Sequence, residues 1–249
     1  MQTRPIDQVL ARPFLARLLT HVKLAEEERQ SVLGVMGPAK VIPAHTDVLA
    51  EGHPSEGATV VLAGFACRFK QLRNGRRQIL SYLVPGDVCE YRFMTAGRLD
   101  HGVATLSPAL LSTLPSASLA TICERFPRIT RGLLRAAAVD DATTREWLIN
   151  LGQRTALQRM AHIFCELHQR LEDVQLTRLG GYDLPLTQAE LGGALGLSTV
   201  HVNRTLQELR RAGLIEFKNG RVTISNLEGL REAAAFNGNY LDGQAALSA

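Results

Sequence analysis

One stretch, residues 186–224, constrains this chain more than any other: LTQAELGGALGLSTVHVNRTLQELRRAGLIEFKNGRVTI. Thr187 stands where a helix N-cap belongs and Glu190 follows three residues later, the pattern of a capping box. Ala189, Leu191, Ala194 and Leu195 supply a buried side, and Gly196 ends the helix because glycine accepts a left-handed backbone. Ser198 then caps a second helix whose Val202, Leu206 and Leu209 recur at spacings of four and three. Gly213 stops it. Residues 214–218 and 221–224 alternate as strands around Asn219-Gly220, a pair suited to a two-residue hairpin turn. Two short helices, a tight turn and a hairpin make a winged helix-turn-helix, a motif whose second helix lies in the DNA major groove with its N-terminal residues at the base edges.

The segment TQAELGGALGLSTVHVNRTLQELRRAGLI resembles the helix-turn-helix of the Crp/Fnr family of bacterial transcription regulators. The polar helix start, the Gly in the turn, the Ser cap and an arginine seven residues after the Gly-Leu pair all match, and that arginine is Arg204. The resemblance implies DNA contacts from Ser198, Thr199, Val200, His201, Asn203 and Arg204 on the second helix. It also implies contacts from Thr187 and Gln188 at the start of the first, and from Lys218 and Arg221 in the wing. A guanidinium can donate two hydrogen bonds to guanine, so Arg204 is the expected base reader. Asn203 can pair with adenine, Thr199 and Val200 can touch a thymine methyl, and His201 can reach a phosphate or a base. Thr187 and Gln188 can hold a phosphate against backbone N–H groups. Many family members carry a glutamate two residues after the cap. Val200 stands there, so the family's commonest half-site is not assumed.

The 249 residues allow two domains, and 45% apolar content allows full cores. A net charge of +4 is a weak pointer to a polyanion. No run of about 18 apolar residues marks a membrane span, and the first residues lack a signal peptide's apolar core. Cys67, Cys89, Cys123 and Cys165 are scattered without a CxxC pair, which disfavours a zinc knuckle or disulfide scaffold and fits a reduced, cytoplasmic protein.

Residues from about 13 to 33 look helical. From about 39 to 114 the texture changes to short strands broken by Gly, Pro, Asn and Asp, which suggests a β-roll or jelly roll. RRQILSYLVPGDVCEY resembles the family's cyclic-nucleotide-binding-like β-roll. Pro127 precedes a long helix over about 128–151, with Ile129, Leu133, Ala136, Trp147 and Leu151 on one stripe interrupted by Asp140 and Thr143. In the family this position holds the dimerisation helix; Trp147 fits either a seam or a core. The fold expected is α+β: an N-terminal β-roll with helices (1–126), a long dimerisation helix (127–151), and a C-terminal winged helix-turn-helix domain (152–236). A flexible tail is expected over 237–249. Gly152 is the expected hinge, 155–171 a further amphipathic helix, 179–185 a loop or short hairpin, and Leu227, Leu230 and Ala234 mark a last short helix.

Cyclic-AMP-binding members carry a Gly-Glu pair and then an Arg-Ser or Arg-Thr pair that holds the phosphate. Here those places read Cys89-Glu90-Tyr91 and Asp100-His101-Gly102, so the phosphate-holding arginine is missing, although Arg92 or Arg98 can approach from another direction. No cysteine precedes Cys67, so the N-terminal iron–sulfur ligand cluster of oxygen-sensing members is missing. His45, His53 and His101 are read as packing or surface residues rather than haem ligands. No cofactor is therefore expected. Arg68, Lys70, Arg73, Arg76 and Arg77 line one hairpin and are read as a solvated face, with an acidic-ligand site or a polymerase contact as alternatives.

These features imply a non-enzymatic transcription regulator, activator or repressor, that binds a two-fold symmetric site on double-stranded DNA as a homodimer. RNA polymerase is a further expected partner, and no membrane is. The β-roll would report an unidentified signal or be vestigial. The alternatives are an architectural or non-specific DNA-binding protein, or a metal-dependent cupin-like enzyme using His45, Glu51 and His53.

Overall fold

Short alternating strands between Ala39 and Pro115 pair only with antiparallel neighbours and close into a roll. A computed structural model describes residues 3–4, 6–95 and 97–241. The elements in order are β1 (Thr3–Arg4), α1 (Gln8–His21), α2 (Glu26–Val35), β2 (Ala39–Ile42), β3 (Asp47–Leu49), β4 (Gly57–Ala63), β5 (Ala66–Gln71), β6 (Arg77–Leu83), β7 (Gly102–Thr105) and β8 (Ala109–Pro115). Then come α3 (Ser116–Arg125), α4 (Pro127–Gly152), α5 (Ala156–Asp173), β9 (Gly181–Asp183), α6 (Gln188–Leu195), α7 (Thr199–Arg211), β10 (Ile215–Lys218), β11 (Arg221–Ile224) and α8 (Leu227–Ala234).

The roll has two sheets, ordered β1-β2-β8-β4 and β3-β7-β5-β6. Strand alternation sorts side chains to two faces. Ile42, Val61 and Leu111 of the first sheet meet Ala66, Leu83 and Val103 of the second between the sheets. The outer face of the first sheet, with Val60, Leu62 and Leu114, is covered by α1–α4 through Phe14, Leu18, Ile129 and Leu133. The outer face of the second sheet, with Cys67, Phe69, Tyr82 and Ala104, continues into Phe164, Leu191, Leu206 and Val222 of the C-terminal module. The roll and the C-terminal module therefore share one core, in which each fully buried large side chain contributes about 1.5–3 kcal/mol.

Several sequence-based expectations change. The first helix starts at Gln8, not near Pro13, because Asp7 caps it by accepting from the Leu10 N–H at 2.8 Å. Pro13 then costs little, since the carbonyl it leaves without a donor belongs to the exposed Val9. The structure adds α3, which buries Leu119 and Ile122 against the roll. In α4 the stripe runs without a break: Ile129, Leu133, Ala136, Thr143, Trp147 and Asn150 are buried, and Asp140 meets Arg68 from the roll. That stripe, Trp147 included, faces the subunit's own core. The basic hairpin is not one solvated face either, because Arg68 is only 6% exposed and points between the sheets, whereas Arg73 and Arg76 are exposed.

Gly152 closes α4 as expected, yet movement there would part the shared core. The expected flexible tail begins instead as structure. Residues Gly238–Leu241 form a 3-10 turn, the Tyr240 hydroxyl donates to Glu166 at 2.9 Å, and Leu241 is buried. The remainder of that expectation, residues 242–249, lies outside the described residues. No described helix is long and apolar enough to cross a membrane.

Candidate nucleic-acid interface

The helix-turn-helix is built by local bonds. Thr187 Oγ1 accepts from the Glu190 N–H at 3.2 Å while the Glu190 carboxylate accepts from the Thr187 N–H at 2.7 Å, which completes the capping box. Gly196 takes the left-handed turn at φ +65°. Gly192 allows the turn to close, since a Cβ there would lie 2.5 Å from the Leu197 carbonyl oxygen. Gly192→Ala is expected to cost about 1–3 kcal/mol by overpacking, read as a lower urea midpoint at unchanged m-value. Ser198 Oγ accepts from the His201 N–H at 3.3 Å and starts α7, whose Val202, Thr205, Leu206 and Leu209 face inward.

The opposite face of α7 is open. Ser198, Thr199, Val200, His201, Asn203 and Arg204 are all exposed, as are Thr187 and Gln188 at the start of α6. Val200 is 77% exposed, an apolar group held in water at the first turn of the helix. Gln207 belongs to this face and is not among the residues the sequence pattern singles out. It sits four residues beyond Asn203 and donates to that residue's carboxamide oxygen at 2.9 Å, which fixes the Asn203 amide. The side chains of Arg204, Arg211 and Lys218 have no hydrogen bond or ion pair with another described residue.

The wing turns at Asn219 (φ +53°) and Gly220 (φ +69°), both left-handed as a type I′ turn requires. It is three-stranded, in the order β10-β11-β9, so the expected loop over 179–185 supplies an edge strand. Arg221 is placed differently from the other expected contacts. Its guanidinium donates to Asp183 at 3.0 Å and to the Arg178 carbonyl, bracing β11 on β9. Arg210 likewise donates to the Phe217 carbonyl and ties α7 to the wing.

The roll grips the first helix of the motif. The Tyr82 hydroxyl donates to the Glu190 carbonyl at 3.1 Å, Gln78 Nε2 donates to the Gly193 carbonyl at 3.0 Å, and His45 Nδ1 lies 3.5 Å from the Glu190 carboxylate. Behind them runs a buried charge chain. Arg170 pairs with Glu166 at 2.9 Å and with Asp87 of the roll, and Arg17 of α1 pairs with Asp173 at 2.9 Å.

Two family models match the chain, one for the Crp-like helix-turn-helix domain over residues 158–233 and one for the cyclic nucleotide-binding domain over residues 39–126. The chain belongs to the Crp/Fnr family of transcription regulators. Among curated relatives of this regulator, the transcriptional activator protein FnrL of Cereibacter sphaeroides is 26% identical over 193 residues, 75% of this chain and 76% of that one. The nitrogen fixation regulation protein FixK of Azorhizobium caulinodans is 23% identical over 190 residues, 76% of each. The solved structure of FixK2 from Bradyrhizobium japonicum superposes with a TM-score of 0.71 at 23% identity, covering 80% of this chain and 98% of that one, which supports the fold.

The second family model raises the question of a cyclic nucleotide, and the regulator's residues do not fit one. A cavity of about 500 Å³ lies between the roll and α4, lined by the carboxylates of Glu90, Asp100, Asp140 and Asp141. Its cations are engaged: Arg68 by Asp140 at 2.5 Å and Arg92 by Asp100 at 3.3 Å. A phosphate there would meet four acids and no free guanidinium. The Glu90 carboxylate is also spoken for, accepting from the Ser55 hydroxyl and the Arg92 N–H.

The metal-enzyme alternative is not assembled. His45 turns to Glu190, Glu51 pairs with Lys70, and no group of three or more metal-ligating side chains occurs among the described residues. Burial pushes the thiols of Cys67, Cys89 and Cys165 up to about 12, which leaves them protonated at neutral pH.

Proposed function

We propose that this regulator binds a two-fold symmetric operator as a homodimer and acts on RNA polymerase bound nearby. The exposed face of α7 with its unpaired Arg204 carries the reading. In it Arg204 reads guanine, Asn203 and Gln207 offer amides to neighbouring bases, and Val200 and Thr199 meet thymine methyls. Ser198 caps the helix and, with His201, faces the backbone, while Thr187, Gln188 and Lys218 hold phosphates. Arg221 braces the wing and contributes little direct contact, because Asp183 already neutralises it.

The dimer is paired through the second face of α4. Leu134 and Leu148 are 54% and 65% exposed there, and with Ala138, Asp141 and Arg145 they follow each other at spacings of four, three, four and three. Such spacing is what a two-stranded seam uses. The division is a roll over 1–126, a pairing helix over 127–151 and a DNA-binding domain over 152–236. The regulator works without cyclic AMP, an iron–sulfur cluster or haem.

Selection of duplexes from a random pool by the purified full chain tests this. The expected motif has a dyad, with half-site centres about 34 Å apart. Arg204→Ala should weaken that operator by about 1–3 kcal/mol and relax one base position in each half-site. Enrichment without symmetry would remove the dimer reading, and equal affinity for all duplexes would favour an architectural protein.

A further inference from the structure

The roll and the long helix are joined by a charged side chain in a place where charge is costly. Strand β5 alternates Ala66 in, Cys67 out, Arg68 in, Phe69 out, so Arg68 enters the space between the sheets beside Leu83 and Val103. A bulge at Leu80 shifts the register of β6 and leaves Ser81 opposite Arg68. All three nitrogens of the guanidinium then donate. Nε donates to the Cys89 carbonyl at 2.7 Å and Nη2 to the Val88 carbonyl at 2.9 Å. Nη1 donates to Ser81 Oγ at 3.4 Å and to Asp140 Oδ1 of α4 at 2.5 Å. A planar fork with donors on three sides suits this role, and a lysine would not reach all of these acceptors.

Asp140 adjoins Asp141, a member of the exposed seam of α4. The Arg68 bond therefore fixes the helix one residue from the surface that would pair two subunits. Trp147, the single tryptophan, lines the same cavity two turns further on and packs edge-on against Tyr82 at 5.4 Å. Tyr82 in turn bonds Glu190 of the helix-turn-helix. Arg68 and Asp140 thus join roll and long helix, and Trp147 and Tyr82 carry the contact on to the helix-turn-helix.

We propose that the chain carries its own effector: Arg68, bound to Asp140 between roll and long helix, holds α4 in the pairing arrangement, so operator binding requires no small molecule. The inference rests on the reading of α4 as the pairing helix. It makes the roll a fixed brace, with the link between roll and long helix supplied by an ion pair in the wall of the cavity a signal molecule would enter.

The test uses the full chain as wild type, Arg68→Ala and Asp140→Ala, with two readouts: affinity for the selected operator and the dimer dissociation constant by sedimentation. Each variant is expected to lose about tenfold or more in operator affinity, because each leaves the other charge unpaired. Millimolar methylguanidinium should restore binding and the wild-type Trp147 emission in Arg68→Ala, and should do neither in Asp140→Ala, which lacks the carboxylate. If Arg68→Ala fails to fold, Asp140→Ala decides alone, since its carboxylate is one-third exposed at the cavity rim. Wild-type affinity and wild-type dimerisation in Asp140→Ala would overturn the proposal. If the wild type itself selected no symmetric duplex, the operator reading would fail, and the dimer constant of Asp140→Ala would still decide the brace.

Discussion

Replacing Leu134 and Leu148 with glutamate is expected to leave the subunit folded and to split the dimer. Both side chains stand on the solvent face of α4, away from the buried stripe of Ile129, Leu133, Ala136 and Trp147, so their loss opens no cavity. In a parallel two-stranded seam each would oppose its twin, and a glutamate at both levels places like charges together in a desolvated contact. The neighbouring Asp141 and Arg145 already satisfy each other within one helix and offer little to offset this. A two-half-site operator gains its affinity from linkage of two reading helices, so the monomer should bind about 100-fold or more weakly. Binding to an isolated half-site should be unchanged. Sedimentation of the double variant as a dimer, with full operator affinity, would reject α4 as the pairing surface.

How far the sequence was legible follows the range of the contacts. The helix-turn-helix reads well because its signals are local: Thr187 with Glu190, Ser198 with His201, and the Val202, Leu206, Leu209 stripe lie within a few residues of each other. The hairpin at Asn219-Gly220 is local as well. What stayed hidden depends on partners far along the chain. Asp140 looks like an interruption of a helical stripe until Arg68, 72 residues earlier, is seen to meet it. Arg221 looks like a free wing cation until Asp183 is seen beside it, on a strand only three residues long. The turn over Gly238–Leu241 has small and polar texture, yet Tyr240 satisfies a carboxylate 74 residues away. Gln207 is the exception, since its spacing from Asn203 was available in the sequence.

The same buried polar groups give the fold a characteristic response to acid. Burial, with Arg17 and Arg135 close by, lowers His21 to about 4, and Asp87 opposes this only weakly. Burial, with Arg154 beside it, lowers His162 to about 3. His162 Nε2 lies 3.5 Å from Glu146, a contact that would favour a proton, but the Arg154 guanidinium takes that carboxylate at 2.9 Å and the ring stays neutral. Phe236 packs edge-on against the His162 ring and Tyr240 stacks on it, the two aromatics also touching each other. Both histidines thus titrate lower in the folded chain than in the unfolded one, where the ordinary value is near 6.5. Below that value the unfolded state binds more protons, so stability is complete above about pH 6.5 and falls as the solution is acidified toward the folded values. Each histidine contributes about 1.4 kcal/mol per pH unit within this window, on the order of 3 kcal/mol for His21 across all of it. Glu166 works in the opposite direction, because burial raises its carboxyl and protonation relieves that burial. Urea midpoints measured between about pH 7.5 and 5.5 stay above the range of ordinary carboxylates, and comparison with His21→Leu separates His21 from the raised Glu166. The wild type should hold its stability down to about pH 6.5 and lose it below that value. His21→Leu should lose it less steeply, and an equal slope in the two proteins would show that His21 is not titrating against the fold.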